Sequence, residues 1–484
     1  MENTKNRKLV VVLIILGVVM LFTGLSYAIA NFVFQGQRES KIEISGLSFT
    51  YKENTALELT KLEPLSDEDG MASGNTYTFG VTATSKAPKD VYYYIYFTID
   101  GSNTLLNKYV TFNLTNLTTT ETSGNLKMSS LSALGNDNYY AYGSKLTLTS
   151  ANLTTTNNYR LTIWVNSDYV SDRKYEVKDK EQTVTVGGDT FKFKINVKAS
   201  DTEFDPLENT LNRLILGKNN SNVLSTTATL TTDYASAGDA SGLYKSVDGE
   251  TNSGTTYFYR GAVTNNNVKF AGKMWKIIRI NENGTIRLLL DEMAGVDIKF
   301  NPSYNNYSYM YYSNSDVDNG IKRMVDTWYD NNIKGYESYI ADTEFCEQFK
   351  VAYFSNQATA GSATAPTYDN YTSNFKCETD GNGKGILTSK VGLLTYDEVV
   401  HAGNYPDKAS DPYITTNNYE YWLMSPGGAN NNNNANAWHV DGGGVISNDF
   451  VNGFFVVRPV ISLKAGLLAT GSGTSDNPYV IQMS

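Results

Sequence analysis

The sequence predicts a mainly β protein with an N-terminal apolar helix, an antiparallel β-sandwich, a short helical linker and a C-terminal α+β domain. Three observations predict this order. Residues 9–34 carry no charged side chain, residues 41–199 consist of strand-like runs without helical patterns between them, and residues 242–484 mix strand-like runs with helical periodicity. Roughly 450 residues follow the apolar run, enough for two or three domains with their own cores.

The apolar run Leu9–Phe34 is long enough to cross a bilayer as a helix, for which about 20 apolar residues suffice. Lys5, Arg7 and Lys8 precede it, and positive charge on the short leading side keeps that side in the cytoplasm. The rest of the chain is therefore expected outside the cell. Two outcomes are compatible with this run: a membrane anchor, or a signal peptide within 1–34 that is cleaved after Ala30 at an A-x-A site.

Composition argues against two classes of function. The formal net charge is −10, with acidic and basic residues interspersed, so no basic face for nucleic acid is expected. The sequence has 2 histidines, His401 and His439, and no HExxH or HxH spacing, whereas zinc sites need several Cys or His ligands. We therefore expect no catalytic residue, no metal site and no cofactor.

The two cysteines, Cys346 and Cys377, are predicted to form a disulfide bond. In an oxidising compartment, two cysteines close in sequence pair with each other far more often than they act as nucleophiles. A nucleophilic pair of cysteine and histidine is the alternative.

Residues 41–199 are predicted to form the β-sandwich. In the run Val91–Ile99, one set of alternate side chains is mostly aliphatic and the other set is mostly tyrosine. The first set is expected to face the core, and the tyrosine face to be partly exposed or covered by a second sheet. Several antiparallel strands without helices between them are typical of a sandwich.

Short motifs in this region are also found together in a known family. They are the leader that ends in GLSYA, the entry strand KIEISGLSFTY, the segment Pro64–Gly70, and the late runs YRLTIWVNSDY and FKFKINVKA. With these motifs the region resembles the camelysin/TasA family of Gram-positive secreted proteins. The resemblance implies a jelly-roll-like sandwich and self-association into extracellular fibres of a biofilm matrix. It also implies an alternative activity, because some members are labelled metallo-endopeptidases.

Residues 200–241 are predicted to be a linker that contains a short helix over 205–217. Asp205 can cap this helix and Pro206 suits its first position, while Gly217 is placed to end it. The residues that follow are low in charge and in large apolar side chains, which favours a linker.

Residues 242–484 are predicted to form the α+β domain. Asn281–Gly284 is a hairpin signal between two strand-like runs, and Ile321–Trp328 has apolar residues on one helical face. Thr395 and Glu398 have the spacing of a capping box. The run Phe454–Leu463 is predicted to be the closing strand.

Six motifs spread over nearly the whole of this second region belong together. They are YRGAV, WKIIRI, YIAD, VGLLT, WLMSPG and VRPV. They closely resemble an uncharacterised extracellular domain common in Gram-positive surface proteins. WLMSPG and VRPV are also similar to the C-type-lectin/formylglycine-generating-enzyme fold, which implies a lectin-like architecture. The calcium-dependent sugar-binding motifs of that fold and the paired cysteines of its oxidases are absent, so the resemblance implies no reaction.

A recognition surface is predicted next to the asparagine-rich loop 427–436. Its expected residues are Trp438 as the aromatic anchor, with His439, Asp441, Asn448 and Asn452. Tryptophan and asparagine suit stacking and adaptable hydrogen bonding. The alternative is a flexible loop beside a strand in which His439 is half-exposed.

Two further segments have the oxygen spacing of calcium loops, Asn314–Asp318 and Asp380–Lys384. Each lacks a ligand, because Lys384 stands where an oxygen belongs and Val325 stands where an acid belongs. Turns are the better interpretation of both.

These features predict a bacterial cell-surface protein with a structural or adhesive role, a fibre-like module that presents a C-terminal recognition domain. The expected partners are the membrane through Leu9–Phe34, further copies of the chain, and a cell-wall or host glycan or protein. Nucleic acid is not expected. The alternative is a secreted camelysin-like metallo-endopeptidase.

Overall fold

A computed structural model describes residues 32–35, 39–44, 47–53, 64–73, 75–135, 137–167, 169, 191–219, 228–246, 255–352, 366–416, 418–430 and 432–483. The predicted leader up to residue 31, with its cleavage site, lies outside these residues. Within them, no helix has both the length and the apolar character needed to cross a membrane. The chain divides into two compact units, Met1–Leu207 and Glu208–Ser484.

The described part of the first unit is built almost entirely of strands. They are β1 (Phe32–Gln35), β2 (Glu39–Ile44), β3 (Leu47–Glu53), β4 (Pro64–Leu65), β5 (Asn75–Ser85), β6 (Lys89–Ile99), β7 (Val110–Asn116), β8 (Thr122–Lys127), β9 (Ser132–Gly135), β10 (Asn138–Leu148), β11 (Thr154–Asn166) and β12 (Phe193–Ser200). The helix α1 (Asp67–Ser73) and short 3₁₀ turns at Asn107–Tyr109 and Met128–Ser130 interrupt them.

These strands form two sheets around one core. The five-stranded sheet has the order β1-β12-β6-β10-β9, and the seven-stranded sheet has the order β2-β3-β5-β11-β7-β8, with β4 beside β11. The pairings are antiparallel, except the parallel pair of β4 and β11. Apolar side chains from both sheets belong to one hydrophobic cluster.

The alternation predicted for β6 is confirmed. Val91, Ile95 and Phe97 are fully buried in the shared core. On the other face, Tyr94 is also buried, because the rings of Tyr140 and Phe204 lie 6.0 Å and 5.4 Å from its ring. Aromatic neighbours from the first unit therefore help cover a face that was expected to be exposed or covered by a sheet.

A buried polar contact joins the two sheets. The hydroxyl of Tyr93 on β6 lies 2.6 Å from the hydroxyl of Tyr159 on β11. Asn157 donates to Tyr93 at 2.7 Å and Asn116 donates to Tyr159 at 3.3 Å. Because a buried hydroxyl without a partner is costly, this network fixes how the two sheets face each other.

The end of the predicted apolar helix is a strand. Phe32–Phe34 belong to β1, which pairs antiparallel with β12 at the edge of the five-stranded sheet. The prediction of a helix over Leu9–Phe34 is therefore wrong for these last residues, because they take backbone partners from β12.

The second unit contains three sheets in its described part. Its strands are β13 (Gly242–Lys245), β14 (Tyr257–Arg260), β15 (Asn267–Phe270), β16 (Lys273–Ile280), β17 (Ile286–Leu290), β18 (Gly295–Ile298), β19 (Thr343–Cys346), β20 (Ile386–Ser389), β21 (Val391–Gly392), β22 (Tyr405–Pro406), β23 (Tyr421–Ala429), β24 (Ala435–Val440), β25 (Val445–Phe450), β26 (Phe455–Val457), β27 (Val460–Leu463), β28 (Ala469–Thr470) and β29 (Tyr479–Ile481).

A nine-stranded sheet has the order β21-β27-β17-β16-β15-β29-β28, with β14 also beside β16 and β13 beside β14. A six-stranded sheet has the order β18-β26-β23-β24-β25-β22, and β19 pairs with β20. The helices of this unit are α2 (Leu211–Asn219), α3 (Tyr234–Ala237), α4 (Ile321–Asn332) and α5 (Tyr396–Ala402). Short 3₁₀ segments occur at Tyr307–Met310, Tyr312–Ser315, Lys334–Tyr339 and Tyr368–Asn370. One cluster of buried apolar residues runs through the unit.

The predicted closing strand Phe454–Leu463 is split between two sheets. β26 belongs to the six-stranded sheet and β27 to the nine-stranded sheet. Pro459, which has no N–H to donate, lies in the break. The preceding Arg458 is buried and donates to Leu290 O at 3.1 Å and Ile414 O at 2.6 Å. This side chain therefore stabilises the point at which the chain crosses from the six-stranded sheet to the nine-stranded sheet.

The short helix is displaced from the predicted span 205–217. Asp205 accepts a hydrogen bond from Leu207 N at 2.9 Å in a turn, and α2 begins only at Leu211. The backbone N–H of Leu211 donates to Leu467 O at 2.8 Å, and Thr210 forms a bridge with Leu468. Contacts distant in sequence thus set the start of this helix, not the local capping signal.

The stretch 228–241, predicted as part of the linker, packs into the second unit. Ala228 and Leu230 are buried in its core, and Asp239 forms an ion pair of 2.8 Å with the buried Arg260. Arg260 also donates to Thr229 O at 2.7 Å. A few polar anchors therefore order a stretch that has little apolar surface of its own.

The predicted disulfide bond between Cys346 and Cys377 is confirmed, with Cα atoms 5.5 Å apart. It lies at the end of the β19–β20 pair, where Cys346 is aligned with Ile386. Because both cysteines form the disulfide, neither remains available as a nucleophile, and Cys377 is also buried.

The disulfide is expected to stabilise the second unit. Replacing both cysteines by serine should lower its free energy of unfolding by about 3.5 kcal/mol. The reason is that the disulfide closes a loop across a separation of 31 residues and so restricts the conformational entropy of the unfolded chain by about this amount. Denaturant unfolding of the full chain measures this loss. Reductant should destabilise the wild type by a similar amount and leave the double variant unchanged. Equal stability of variant and wild type would contradict the prediction.

Candidate functional site

Trp438, predicted as the aromatic anchor, is a core residue. It is 0% exposed, its Nε1 donates to Val351 O at 3.3 Å, and its ring lies 4.8 Å from the ring of Tyr396 on α5. No ligand on the surface can contact a side chain in this position. The expected role of Trp438 is therefore corrected to packing of α5 against the six-stranded sheet.

His439 lies on the opposite face of β24, because successive side chains of a strand alternate. It is 5% exposed and its ring lies 4.3 Å from the ring of Phe455. Nε2 lies 3.5 Å from a carboxylate oxygen of Glu420. Burial lowers the pKa of His439 to about 4, against the effect of nearby Asp449 and Asp441. The imidazole is therefore neutral at pH 7 and poorly matched to general-base catalysis.

The remaining predicted residues are not brought together. Asp441 accepts hydrogen bonds from Gly443 N and Val445 N, both at 2.8 Å, so its carboxylate organises the β24–β25 turn. Asn448 accepts from Asn436 Nδ2 at 2.9 Å within the hairpin. Asn452 is half-buried in the turn after β25. Asp441 and Asn452 thus lie at opposite ends of a six-residue hairpin, about 20 Å apart at the usual strand rise.

Both ends of the asparagine-rich run 427–436 are core strands. Gly427–Ala429 and Ala435–Val440 are buried parts of β23 and β24. The exposed remainder is a tight turn in which Asn430 accepts from the backbone N–H groups of Asn432 and Asn434, both at 3.0 Å. Residues 427–436 were expected to form one wall of the recognition surface or, alternatively, a flexible loop; the exposed part is only the tip of one hairpin.

The sequence reasoning missed three exposed aromatic side chains. Tyr304 and Phe450 lie together at the Asn452 end of the hairpin, whereas Phe454 lies just before β26, which pairs with β23 at Tyr421. Tyr304 is 41%, Phe450 39% and Phe454 59% exposed. The rings of Tyr304 and Phe450 are 6.0 Å apart, and the ammonium of Lys299 lies 4.9 Å from the ring of Phe454.

Backbone contacts hold this end of the hairpin together. Ala435 donates to Tyr304 O at 2.7 Å, Val451 donates to Ala435 O at 3.1 Å, and Gly453 donates to Phe450 O at 2.8 Å. We call Tyr304, Phe450 and Asn452 the distal aromatic surface. The signal in the sequence was the short segment Phe450–Phe455, in which aromatic residues flank an Asn-Gly turn.

A serine, a histidine and an aspartate meet in the core next to α5. Ser373 Oγ donates to Asp397 Oδ1 at 2.6 Å and lies 3.3 Å from His401 Nδ1. His401 Nδ1 lies 2.8 Å from the backbone oxygen of Asp397. A catalytic triad needs the imidazole between hydroxyl and carboxylate, whereas here the serine bonds to the carboxylate directly.

Burial excludes acid–base chemistry at this cluster. Ser373 and His401 are each 1% exposed, and the rings of Phe258 and Phe375 lie 4.8 Å and 3.9 Å from the imidazole. Burial lowers the pKa of His401 to about 3, against an opposite effect of Asp397. We therefore assign Ser373, Asp397 and His401 a structural role.

The calcium-like segment at Asp380 is occupied by the donors of the protein itself. Asp380 Oδ1 accepts from Asn382 N at 2.8 Å and Lys384 N at 3.1 Å, and Oδ2 accepts from Phe349 N and from the Tyr311 hydroxyl, both at 3.0 Å. Across the described residues, no group of three or more His, Cys, Asp or Glu side chains is arranged to hold a metal ion. Asp380 therefore stabilises a turn by accepting these hydrogen bonds and does not hold a metal ion in this arrangement.

A buried charge cluster connects α5 to the nine-stranded sheet. Glu398 Oε2 accepts from Thr395 N at 3.0 Å, which completes the predicted capping box. Glu398 Oε1 accepts from Arg279 Nε at 3.1 Å and forms an ion pair of 2.6 Å with Arg287. The contact with Arg287 is an ion pair and not a hydrogen bond, because no acceptor lies in hydrogen-bonding geometry with its Nε. Burial lowers the pKa of Arg287 to about 10, while Glu398 opposes this.

No protein-family model matches this chain, and neither the curated proteins nor the solved structures include one that is significantly similar to it. The resemblance to the camelysin/TasA family and the resemblance to a lectin-like domain therefore both stay predictions.

Removing the charge of Glu398 is expected to destabilise the second unit strongly. Glu398→Gln leaves two largely buried guanidinium groups without their counter-charge, so the free energy of unfolding should fall by about 3–5 kcal/mol. Glu292→Gln is the matched control: Glu292 is exposed and pairs with Lys273 at 2.7 Å. Because surface ion pairs contribute about 0–1 kcal/mol, the control should change little. Similar losses in both variants in denaturant unfolding would contradict this account.

Both buried histidines are expected to make the second unit less stable in acid. Their pKa values are lowered in the folded protein, to about 3 for His401 and about 4 for His439, so below the unfolded value of 6.5 the unfolded chain binds more protons. Stability is then fully present above pH 6.5 and is lost as the pH falls toward 4. Between pH 7 and pH 5 each histidine should remove about 2 kcal/mol.

Denaturant unfolding at pH 7, 6 and 5 measures this dependence. His439→Gln, which cannot take up the proton, should reduce the slope of unfolding free energy against pH by nearly one proton, whatever its effect on stability at pH 7. An unchanged slope would show that His439 is not held neutral by burial.

Proposed function

We propose that this protein is an exported surface protein with a structural or adhesive role, whose second unit binds its ligand at the distal aromatic surface. The observation that carries the proposal is the pair of Tyr304 and Phe450, whose rings lie 6.0 Å apart and which are both exposed at one end of the hairpin. Aromatic side chains that stay exposed together mark interaction sites, and Tyr and Phe are enriched in them.

Two features support an outside location. The uncharged run Leu9–Phe34 follows three basic residues, and Cys346 forms a disulfide with Cys377. Disulfides persist in oxidising compartments and are rare in the cytosol. Either membrane anchorage or cleavage after Ala30 fits this part of the proposal.

Self-association into fibres is supported by an edge of the first unit that is only partly paired among the residues that the structure describes. β12 pairs with β6 along all of Phe193–Ser200, but β1 covers only Asn196–Ala199 on the other edge. An edge that is only partly paired can accept a strand from another copy. In this proposal the first unit is a jelly-roll-like sandwich that assembles into fibres, and the second unit is a lectin-like domain that recognises the ligand.

The chemistry of the distal surface fits a glycan or an extended peptide. Aromatic rings stack on the apolar face of a sugar or on side chains, while Asn452 and the Asn430–Asn434 turn supply amides for hydrogen bonds. The alternative of a metallo-endopeptidase has no support among the described residues, since both His401 and His439 are buried.

Binding to purified Gram-positive cell walls tests the proposal. Tyr304→Ser and Phe450→Ser should each weaken binding roughly 30-fold, the effect of losing an aromatic anchor of about 2 kcal/mol. The melting temperature should stay near that of the wild type, because both side chains are exposed. Co-sedimentation over a range of wall concentrations measures the affinity.

Tyr419→Ser is the matched control, because Tyr419 is 45% exposed and directly precedes Glu420, which lies beside His439 near the opposite end of the hairpin. It should bind as the wild type does. Equal binding by all three variants, or equal loss in all three, would reject the distal aromatic surface as the recognition site.

A further inference from the structure

Two asparagine side chains at the distal end of the hairpin are unpaired. Among the residues that the structure describes, the amides of Asn434 and Asn452 form no hydrogen bond with another side chain or with the backbone. Val451 N donates to Ala435 O at 3.1 Å, so the next residues along the two chain segments, Asn434 and Asn452, lie opposite each other. Val451 and Ala435 are fully buried, whereas the two asparagines are half-buried. By alternation, the asparagines therefore lie on the face that carries Phe450.

The main-chain groups at this end of the hairpin already have partners. Phe450 N donates to Asp449 Oδ1 at 2.7 Å, and Phe450 O accepts from Gly453 N at 2.8 Å. Ala435 N donates to Tyr304 O at 2.7 Å. An extended peptide that joins a sheet binds through unpaired N–H and C=O groups of an edge strand. Because these groups are paired here, a ligand at this end meets side chains and no free strand edge.

The side chains that such a ligand meets are uncharged. The rings of Tyr304 and Phe450 are tilted by 53° with centroids 6.0 Å apart. Asn434 and Asn452 each offer two N–H donors and a carbonyl acceptor. The neighbouring carboxylate of Asp449 accepts a hydrogen bond from the main chain. Rings that stack on an apolar face, beside amides that both donate and accept, suit the C–H face and the polar rim of a sugar.

We propose that the distal aromatic surface and Asn434 together bind a glycan, not an extended peptide. The two asparagines select the glycan by hydrogen bonds to its hydroxyl or acetamido groups, while a sugar ring stacks on Tyr304 or Phe450. This inference rests on the proposed recognition function and narrows its ligand to one chemical class. No charged side chain takes part, so the affinity depends on stacking and hydrogen bonds.

The other exposed aromatic side chains near the hairpin lack this arrangement. The ammonium of Lys299 lies 4.9 Å from the ring of Phe454. Tyr419 is exposed beside an exposed amide, that of Asn418, but it forms no ring contact with another described residue and is followed by the carboxylate of Glu420. Two rings with two unpaired amides and no adjoining free charge therefore occur together only at the distal end of this hairpin, among the described residues.

Competition in the wall-binding assay tests the class of ligand. The full-length protein is bound to purified Gram-positive cell walls, and a second sample of the same walls is split by an amidase into peptide-free polysaccharides and free peptides. The polysaccharides should displace the protein from the walls, and the peptides should not. Displacement by the peptides alone, or by neither fraction, would overturn the proposal.

Ionic strength distinguishes uncharged contacts from electrostatic ones. Raising the NaCl concentration from about 50 mM to about 500 mM should change the affinity for the polysaccharide fraction less than about threefold, because salt screens only charged contacts. A larger loss would show that an anionic polymer is held by basic side chains, which contradicts the proposal.

Variants test the two asparagines. Asn434→Ala and Asn452→Ala should each weaken binding of the polysaccharide fraction about fivefold, the effect of losing one hydrogen bond. Their melting temperatures should equal that of the wild type, because neither amide bonds within the described structure. Asn418→Ala is the matched control, since Asn418 is exposed near the opposite end of the hairpin, and it should bind as the wild type does. Wild-type affinity in either test variant, or the same loss in the control, would refute the selection by Asn434 and Asn452.

Failure of this inference is distinguishable from failure of the proposed function. If Tyr304→Ser and Phe450→Ser leave wall binding unchanged, the recognition site itself is wrong. If both variants weaken wall binding while the peptides compete and the polysaccharides do not, the site stands and the choice of a glycan is wrong.

Discussion

The second unit depends on one buried carboxylate. Glu398 caps α5 through Thr395 and is also the counter-charge of Arg279 and Arg287, which come from β16 and β17. Two largely buried guanidinium groups cannot remain without an anion, so the helix must lie where this carboxylate reaches both. Arg287 further donates to Glu344 O at 3.2 Å and covers the ring of Phe345, which extends the constraint to β19. The position of α5 then decides what can pack on either side of it.

Residues of the loop that the disulfide closes, near its two ends, pack on α5. Residues on both sides of the loop contact the helix: Lys350 pairs with Asp397, and Phe375 stacks on His401. Val351 accepts from the indole of Trp438, so the same loop also reaches the six-stranded sheet. Ser373, Asp397 and His401 form hydrogen bonds with one another in the interior. They therefore stabilise the fold and offer no accessible nucleophile. Chemistry-bearing residue types indicate a reaction only when their geometry and access permit one.

The candidate site shows what a sequence pattern can and cannot locate. The asparagine-rich run 427–436 was predicted to be a loop beside a strand, whereas strands β23 and β24 extend into it. Strand alternation distributes the residues singled out there over two faces and two ends of the hairpin. Trp438 and His439, adjacent in sequence, lie on opposite faces and are both buried. Exposure instead falls on Tyr304, Phe450 and Phe454, and Tyr304 is more than 100 residues away in the chain. Nothing local to Tyr304 in the sequence indicates that it contacts Phe450, because a hydrogen bond from Ala435 to its backbone oxygen places it there.

By itself, the sequence determined the features that depend on neighbours in the chain. The alternation of β6, the capping box at Thr395, the Asn281–Gly284 hairpin and the pairing of the two cysteines all follow from local spacing or composition, and the structure has them. Only the tertiary structure decided where α2 begins, how Arg458 stabilises the crossover within the last strand, and that Asp239 and Arg260 order residues 228–241 of the predicted linker. It also brings the two calcium-like segments together, since Lys384 Nζ donates to Asn314 Oδ1 at 3.1 Å. The reason is physical: capping and alternation act over a few residues, whereas burial of a charge or a ring is settled by partners far away in the chain.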